Sequence, residues 1–426
     1  MSSPTPAASR IRPSLTLETV ATAFLVLFVA AVPVSIAAAH ILLAVTLVLW
    51  AGMLVKHREY PEAPALFRPL AAYAGVTLIA ALFSLDQWVS IVDSKQLVLF
   101  LIVPAVYRLA RGHRAWTMST VIVSVGAVTA GLGVVQYSLL EYDHLGQRAR
   151  GSLGHYMTYS GLLMLVMAVA AARLLLGKSD RVWPGLVLPA LLAALVVTFT
   201  RSAWVGACVA MGVLLLLRDL RLVTLLPVLA ALFLALAPPA ITDRLYSTFD
   251  LQDPTNRDRL AMMRAGVKMI RDRPVTGVGP NMVQDAYEHY RDESAIEVAA
   301  PHLHNVPLQI AAERGVPALA VWLWFVVVAI RGLLQRLQEP RARTLAAAGL
   351  AATGGMLAAG LFEYNFGDSE VLMLFLVILT LPHAAVAATG AQGRRDPVRE
   401  GDAPRHTHGS EGSLARAVGA RQTPLV

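Results

Sequence analysis

The sequence predicts an all-α polytopic membrane protein of about twelve transmembrane helices with one large helical loop outside the bilayer. Three observations carry this. Of 426 residues, 56% are hydrophobic and only 15% are charged, against roughly 25% charged in an ordinary soluble domain. Mean hydropathy is +0.58, and nearly uncharged runs recur from residue 17 to residue 388. A single long hydrophilic stretch, residues 241–315, interrupts them. Cys208, the only cysteine, lies inside an apolar run, so no intrachain disulfide can form. No cleavable signal peptide is expected, because the first run is too long and no small-residue cleavage site follows it.

In chain order the spans are expected at 16–34, 37–55, 69–85, 96–110, 115–139, 157–177, 183–200, 203–217, 220–240, 316–334, 343–362 and 370–388. The first two form one run broken near Pro33 and His40, and the fourth and eighth are short. Residues 1–15 then form an N-terminal segment, 16–240 hold nine spans, 241–315 form the loop, 316–388 hold three spans, and 389–426 form a tail rich in Gly, Arg, Pro and His. The tail reads as disordered, and its "HTH" as incidental.

Lysine and arginine set the orientation. With the N-terminus inside, seventeen fall in short inside segments, and only Lys95, Arg148, Arg150 and Arg201 fall in short outside ones. Both termini are therefore expected in the cytoplasm and the 241–315 loop outside. The loop carries nine Lys/Arg and eleven Asp/Glu, so it is near neutral. Loops of this length are usually functional. The net charge of +8 follows membrane topology and does not indicate a nucleic-acid partner. No internal repeat, phosphate-binding loop, HExxH, CxxC or outside Asp-x-Asp is present. "GVGP" (277–280) has too few glycines for a phosphate loop and reads as a turn.

Within the loop, "TNRDRLAMMRAGVKMIRDRP" (255–274) predicts a helix capped by Thr255 or Asn256, with Asp258 in its first turn and Pro274 as its stop. At about 100° per residue, Arg257, Arg264, Lys268 and Arg271 share one stripe, a solvated or lipid-headgroup face. Leu260, Met263, Val267 and Ile270 share another. Arg259 falls among Met263, Gly266 and Ile270, where a cation needs an anionic partner, either a structural carboxylate or a bound phosphate. Arg201, between two apolar runs in "VVTFTRSAWVGACVA", is either an interfacial anchor or a phosphate ligand. Arg148 and Arg150 are outside cations too, and read more as loop charges than as ligands.

"APHLHNVPLQIAAERGVPA" (300–318) predicts a short helix over 306–314. Asn305 is its cap, Pro307 sits in its first turn and Gly315 is its stop. His304 then lies at the positive helix end, which disfavours imidazolium and suits a neutral general base. The plainer alternative is a histidine that only hydrogen-bonds locally. His302 need not face the same way. A zinc site is disfavoured because no outside Cys or Glu cluster has ligand spacing around these histidines.

Three segments together resemble the O-antigen ligase and polymerase superfamily. "HNVPLQIAAERG" (304–315) fits its His-Asn, nine residues, Gly pattern. "TFTRSAWVG" (198–206) is similar to its Thr-x-Ser/Thr-Arg segment at a span start, and "NRDRLAMMRAGVKMIRDRPVTGVGPN" (256–281) to its segment ending in GvG. The order is right over roughly residues 130–380. Met263 stands where a tryptophan is common, and Ala318 where another residue type is frequent.

The resemblance implies a helical bundle of the lipid-linked-sugar transferase type in the bacterial inner membrane, its site on the periplasmic side. It implies an undecaprenyl-diphosphate-linked glycan as donor, a lipid A-core sugar hydroxyl as acceptor, and no metal or other cofactor. On that reading His304 is the base and Arg201, Arg259 and, less centrally, Arg264 hold the diphosphate. Asn305, His302 and Arg150 are possible supports. A polymerase of the same superfamily and a protein O-oligosaccharyltransferase are the near alternatives. A transporter is the distant one, with few buried charges and no paired broken helices in its favour.

Overall fold

A computed structural model describes residues 16–387 apart from 145, 179, 225–226, 229–230, 232–238, 248–249, 251 and 293–294. Its elements are almost all helical. Thr16 caps α1 (Leu17–Ala31) and Ser35 caps α2 (Ile36–His57), each accepting a backbone N–H with its hydroxyl. After α3 (Phe67–Leu82), α4 (Gln87–Asp93) runs through a 3-10 stretch at Ser94–Leu101 into α5 (Ile102–Leu109). Then come α6 (His113–Leu139), a two-residue hairpin pairing 143–144 with 147–148, α7 (Tyr156–Leu176), α8 (Val182–Val196) and α9 (Arg201–Arg218). The hydrophilic region folds as α10 (Pro239–Tyr246), α11 (Pro254–Asp272) and α12 (Val283–Tyr290). Three helices close the chain: α13 (Val306–Arg336), α14 (Arg343–Ala359) and α15 (Ser369–Val386).

The protein is thus an all-α polytopic membrane protein. Among the described residues, seven helices are long and apolar enough to cross a bilayer: α2, the continuous run Gln87–Leu109, α6, α7, α9, α13 and α15. Shorter helices add to these: α1, α3, α8 and α14 lie at the spans expected at 16–34, 69–85, 183–200 and 343–362. Helices α1, α3 and α8 have 15, 16 and 15 residues, and at 1.5 Å per residue they fall short of a hydrocarbon core of about 30 Å. The span expected at 96–110 begins earlier, at Gln87, because Asp86 caps the helix and its charged residues are carried within it. Most of the ninth expected span, 220–240, the first fifteen residues and the tail lie outside the described residues.

Helices α7 and α15 are apolar all round and almost wholly buried, so they form the centre. Helix α14 packs on α7 and α9. Its approach to α9 is close because Gly206 and Gly355 face each other, and a Cβ on Gly206 would meet the Gly355 carbonyl at 2.7 Å.

Helix α13 breaks where the sequence predicts a stop. Gly315 has φ 80° and ψ 169°, and the helix resumes beyond it. The break frees two carbonyls, and the "GVGP" turn takes them: Val278 N–H donates to Ala312 O (2.8 Å) and Gly279 N–H to Glu313 O (2.9 Å). The approach is so close that a Cβ on Gly277 or Gly315 would lie 2.3 or 2.0 Å from backbone atoms, and both have positive φ.

Helix α11 starts two or three residues earlier than expected. Asp253 is its cap and Pro254 occupies the first turn; Asn256 is left to other work. Its hidden face also differs from the expected one. Ala261, Met262, Ala265, Gly266 and Met269 are buried, while Leu260, Met263 and Val267 are exposed. A wheel drawn on the largest hydrophobes misplaces the face, because α11 lies tightly against Leu303 and Leu308 and only small or pliable residues fit there.

Candidate functional site

The site is built on the turn before α13. Asn305 caps the helix, its Oδ1 accepting the Leu308 N–H at 2.9 Å. Gln309 reaches back, and its Oε1 accepts the Leu303 N–H at 2.7 Å. Between these ties His304 takes φ 50°, the left-handed region, which histidine enters more readily than most residues. The turn is stitched to the loop after α14: Val306 N–H donates to Gly360 O (2.7 Å) and Asn305 Nδ2 to Leu361 O (3.0 Å).

That stitch delivers Glu363. Its Oε2 is 3.0 Å from His304 Nδ1 and its Oε1 is 3.5 Å from His302 Nε2. The two imidazoles meet edge to face with centroids 4.2 Å apart. His302 therefore does face the same way as His304. Burial pushes the Glu363 carboxyl up, but the His304 hydrogen bond and the charges of His304, His302 and Arg259 outweigh it, so Glu363 sits below the usual carboxylate range. Burial pushes His302 down, against the pull of Glu363, and favours its neutral ring. His302, His304 and Glu363 each offer one ligand atom, all within 4.8 Å of one another. The third of these, Glu363, is 59 residues from His304 in sequence, so no ligand spacing in the sequence marks it.

The cations gather at the start of α9. A turn with Phe199 at φ 51° leads into the helix and places Arg201 at its first position, buried. Arg201 Nη1 donates to Ser247 Oγ and Nη2 to Asn256 Oδ1, both at 3.2 Å. Arg201 also feels the charges of Arg244, Arg259 and Arg148. Burial lowers the Arg259 pKa, and the strongest influence opposing that is Glu363. Arg259 therefore joins the arginine group to the histidine pair.

Two other expected contributors stand elsewhere. Arg264 lies on the exposed side of α11, 3.6 Å from Asp292. Arg150 stacks over the Tyr142 ring at 5.4 Å and donates to its hydroxyl, while its backbone N–H donates to Gln136. Arg148, read as a loop charge, is the one that approaches the cluster, with its guanidinium 4.4 Å from the Tyr156 ring centroid. A cavity of about 190 Å³ opens beside the pair, lined by His302, Glu363, His155, Ser202 and Asp368. A wider apolar groove of about 460 Å³ runs between α13 and α14, past Val306, Pro307, Trp322, Leu357 and Leu361.

A histidine hydrogen-bonded to a largely covered carboxylate thus stands near arginines and an apolar groove in a membrane bundle. Residues 185–323 match the family model described as O-antigen ligase.

Over this third of its length the chain is similar to the O-antigen ligase family. The match holds all three resembling segments and, with them, Arg201, Arg259, Arg264, His302, His304 and Asn305. The O-antigen ligase family is one of membrane glycosyltransferases. No curated protein matches the chain. Glu363 and Arg148 lie outside the O-antigen ligase match, and sequence reasoning missed Glu363, Arg148 and Arg244 as site residues. The one signal for Glu363 was acidity in "LFEYNFGDSE", a short segment between two apolar runs. Nothing in the sequence ties it to histidines so far upstream.

Proposed function

We propose that the protein is an O-antigen ligase. It transfers a glycan from undecaprenyl diphosphate to a sugar hydroxyl of lipid A-core, on the periplasmic side of the inner membrane, with both termini in the cytoplasm. The observation that carries this reading is the His304–Glu363 pair set beside the buried Arg201 and the half-buried Arg259.

Glu363 accepts the Nδ1 proton of neutral His304, which leaves the Nε2 lone pair free. Nε2 takes the proton of the acceptor hydroxyl as that oxygen attacks the anomeric carbon. The bond from that carbon to the diphosphate oxygen breaks in the same step, the anomeric centre inverts, and undecaprenyl diphosphate leaves. Negative charge grows on the leaving oxygen, and Arg201 and Arg259 stabilise it. The α9 N-terminus adds its partial positive charge at Arg201. Preset guanidinium charge does the work that a divalent cation does in other transferases. Arg264, turned to Asp292, is left at the margin. The apolar groove beside α13 suits a polyprenyl chain. Asn305 and Gln309 hold the turn.

The test offers purified protein a long-chain lipid-diphosphate glycan with either lipid A-core or a second lipid-linked repeat. Extension of lipid A-core is expected, in the presence of excess chelator. Extension of the repeat would make the protein a polymerase of the same superfamily. Transfer to neither would remove the reading.

A further inference from the structure

We propose that His302, His304 and Glu363 form a binding site for a zinc-class divalent cation, and that occupancy silences His304. Tetrahedral zinc ligands at roughly 2.0–2.2 Å from the metal lie roughly 3.3–3.5 Å from one another. Glu363 Oε2 is 3.0 Å from His304 Nδ1, its other oxygen Oε1 is 3.5 Å from His302 Nε2, and one ligand atom from each residue falls within 4.8 Å of the others. A tetrahedral edge is shorter than 4.8 Å, so rotation of the side chains draws the three atoms together round a small cation.

The donor set is two imidazoles and one carboxylate, which suits zinc and neighbouring transition metals rather than magnesium. The His-x-His turn is already fixed by the Gln309 and Asn305 bonds, so little ordering remains to be done on binding. Three protein ligands leave a fourth position open. Arg259 competes for Glu363, so the site is weaker than a structural zinc centre.

Binding balances without net proton release. Zinc takes the lone pairs of His302 Nε2 and His304 Nδ1, and Glu363 stays ionised. The proton that His304 Nδ1 shared with Glu363 moves to Nε2. An Nε2 that carries a proton cannot accept one from a hydroxyl. This silencing rests on the ligase reading; the metal binding does not.

The experiment titrates zinc into the metal-free full chain in detergent, against a competing fluorescent chelator and with no glycan present. His302→Gln and Glu363→Gln are run beside the wild type, each checked for an unchanged elution profile. The expected result is a zinc affinity at least about ten-fold weaker in both variants, and no measurable binding of magnesium to the wild type. Comparison with the variants separates this site from the tail histidines His406 and His408, which all three proteins share. Equal affinity in wild type and variants would overturn the site. A second arm adds zinc to the glycan-transfer assay: reversible loss of transfer, restored by chelator, supports the silencing, and unchanged or faster transfer overturns it. The binding arm still decides the site when the chain transfers no glycan, so the two readings fail separately.

Discussion

Glu363 and His304 are a pair whose parts fail differently. Asparagine tolerates the left-handed φ of 50° at residue 304 and cannot act as a base. His304→Asn is therefore expected to fold and to lose about 10²- to 10⁴-fold in kcat, read in single-turnover transfer; wild-type rates would end the base assignment. Glu363→Gln keeps the size of the side chain but loses the charge that favours proton acceptance. Its kcat should fall, with the KM for donor nearly unchanged. The arginines act on the other end of the reaction. Arg201→Ala and Arg259→Ala should each lower kcat/KM by about 10²- to 10³-fold, the scale of a lost transition-state donor. Lys268→Ala, on the exposed stripe of α11, should change it little. Equal losses at all three positions would mean that the cluster is not the diphosphate site.

At the scale of elements, the decisive object is the broken helix α13. Its first three turns present Asn305 and Gln309 to the histidine turn, and its later turns belong to the bundle. The break is held by the "GVGP" turn, with Leu85 N–H donating to Val278 O at 3.0 Å on the far side. A methyl at residue 315 meets the Val275 carbonyl at 2.0 Å, and backbone cannot swing aside as a side chain can. Gly315→Ala is expected to cost about 1–3 kcal/mol, seen as a lower thermal midpoint in detergent, and to weaken transfer as the histidine turn shifts. Gly266→Ala is the milder contrast, because its new methyl meets only the ends of Leu303 and Leu308. A midpoint for Gly315→Ala equal to wild type would show that the kink is not a strained necessity.

For the whole molecule, Asp368 ties the two central helices together. It caps α15 by accepting the Val371 N–H, and it accepts the Thr158 hydroxyl of α7. Burial pushes its carboxyl from 3.8 up to about 7. The folded state therefore holds this proton more tightly than the unfolded chain does. The resulting stability is full below about pH 4 and is lost as pH rises through about 7. The thermal midpoint of the wild type should fall between pH 5 and pH 8, and Asp368→Asn should flatten that fall. A midpoint equally steep in the variant would place the pH dependence elsewhere.

The helical, membrane-embedded class was legible because a bilayer leaves few options: backbone polar groups must bond within the segment, so long apolar runs become helices. The helix stop at Gly315 and the Asn305 cap were legible for a similar reason, since caps and left-handed turns are local chemistry. The buried face of α11 was not, because it depends on how closely another element approaches. Neither was the choice between Arg148 and Arg150, two residues apart and equally charged, which a tyrosine ring and a hairpin decide. Glu363 was out of reach altogether. Its place beside the histidines comes from hydrogen bonds between residues 305–306 and 360–361. Sequence by itself determined which segments are helices and which turn carries the histidines, because those follow from local polarity and backbone preference. Only the tertiary structure decided which carboxylate holds the histidine and which arginines surround it, because such pairings are set by packing between segments far apart in the chain.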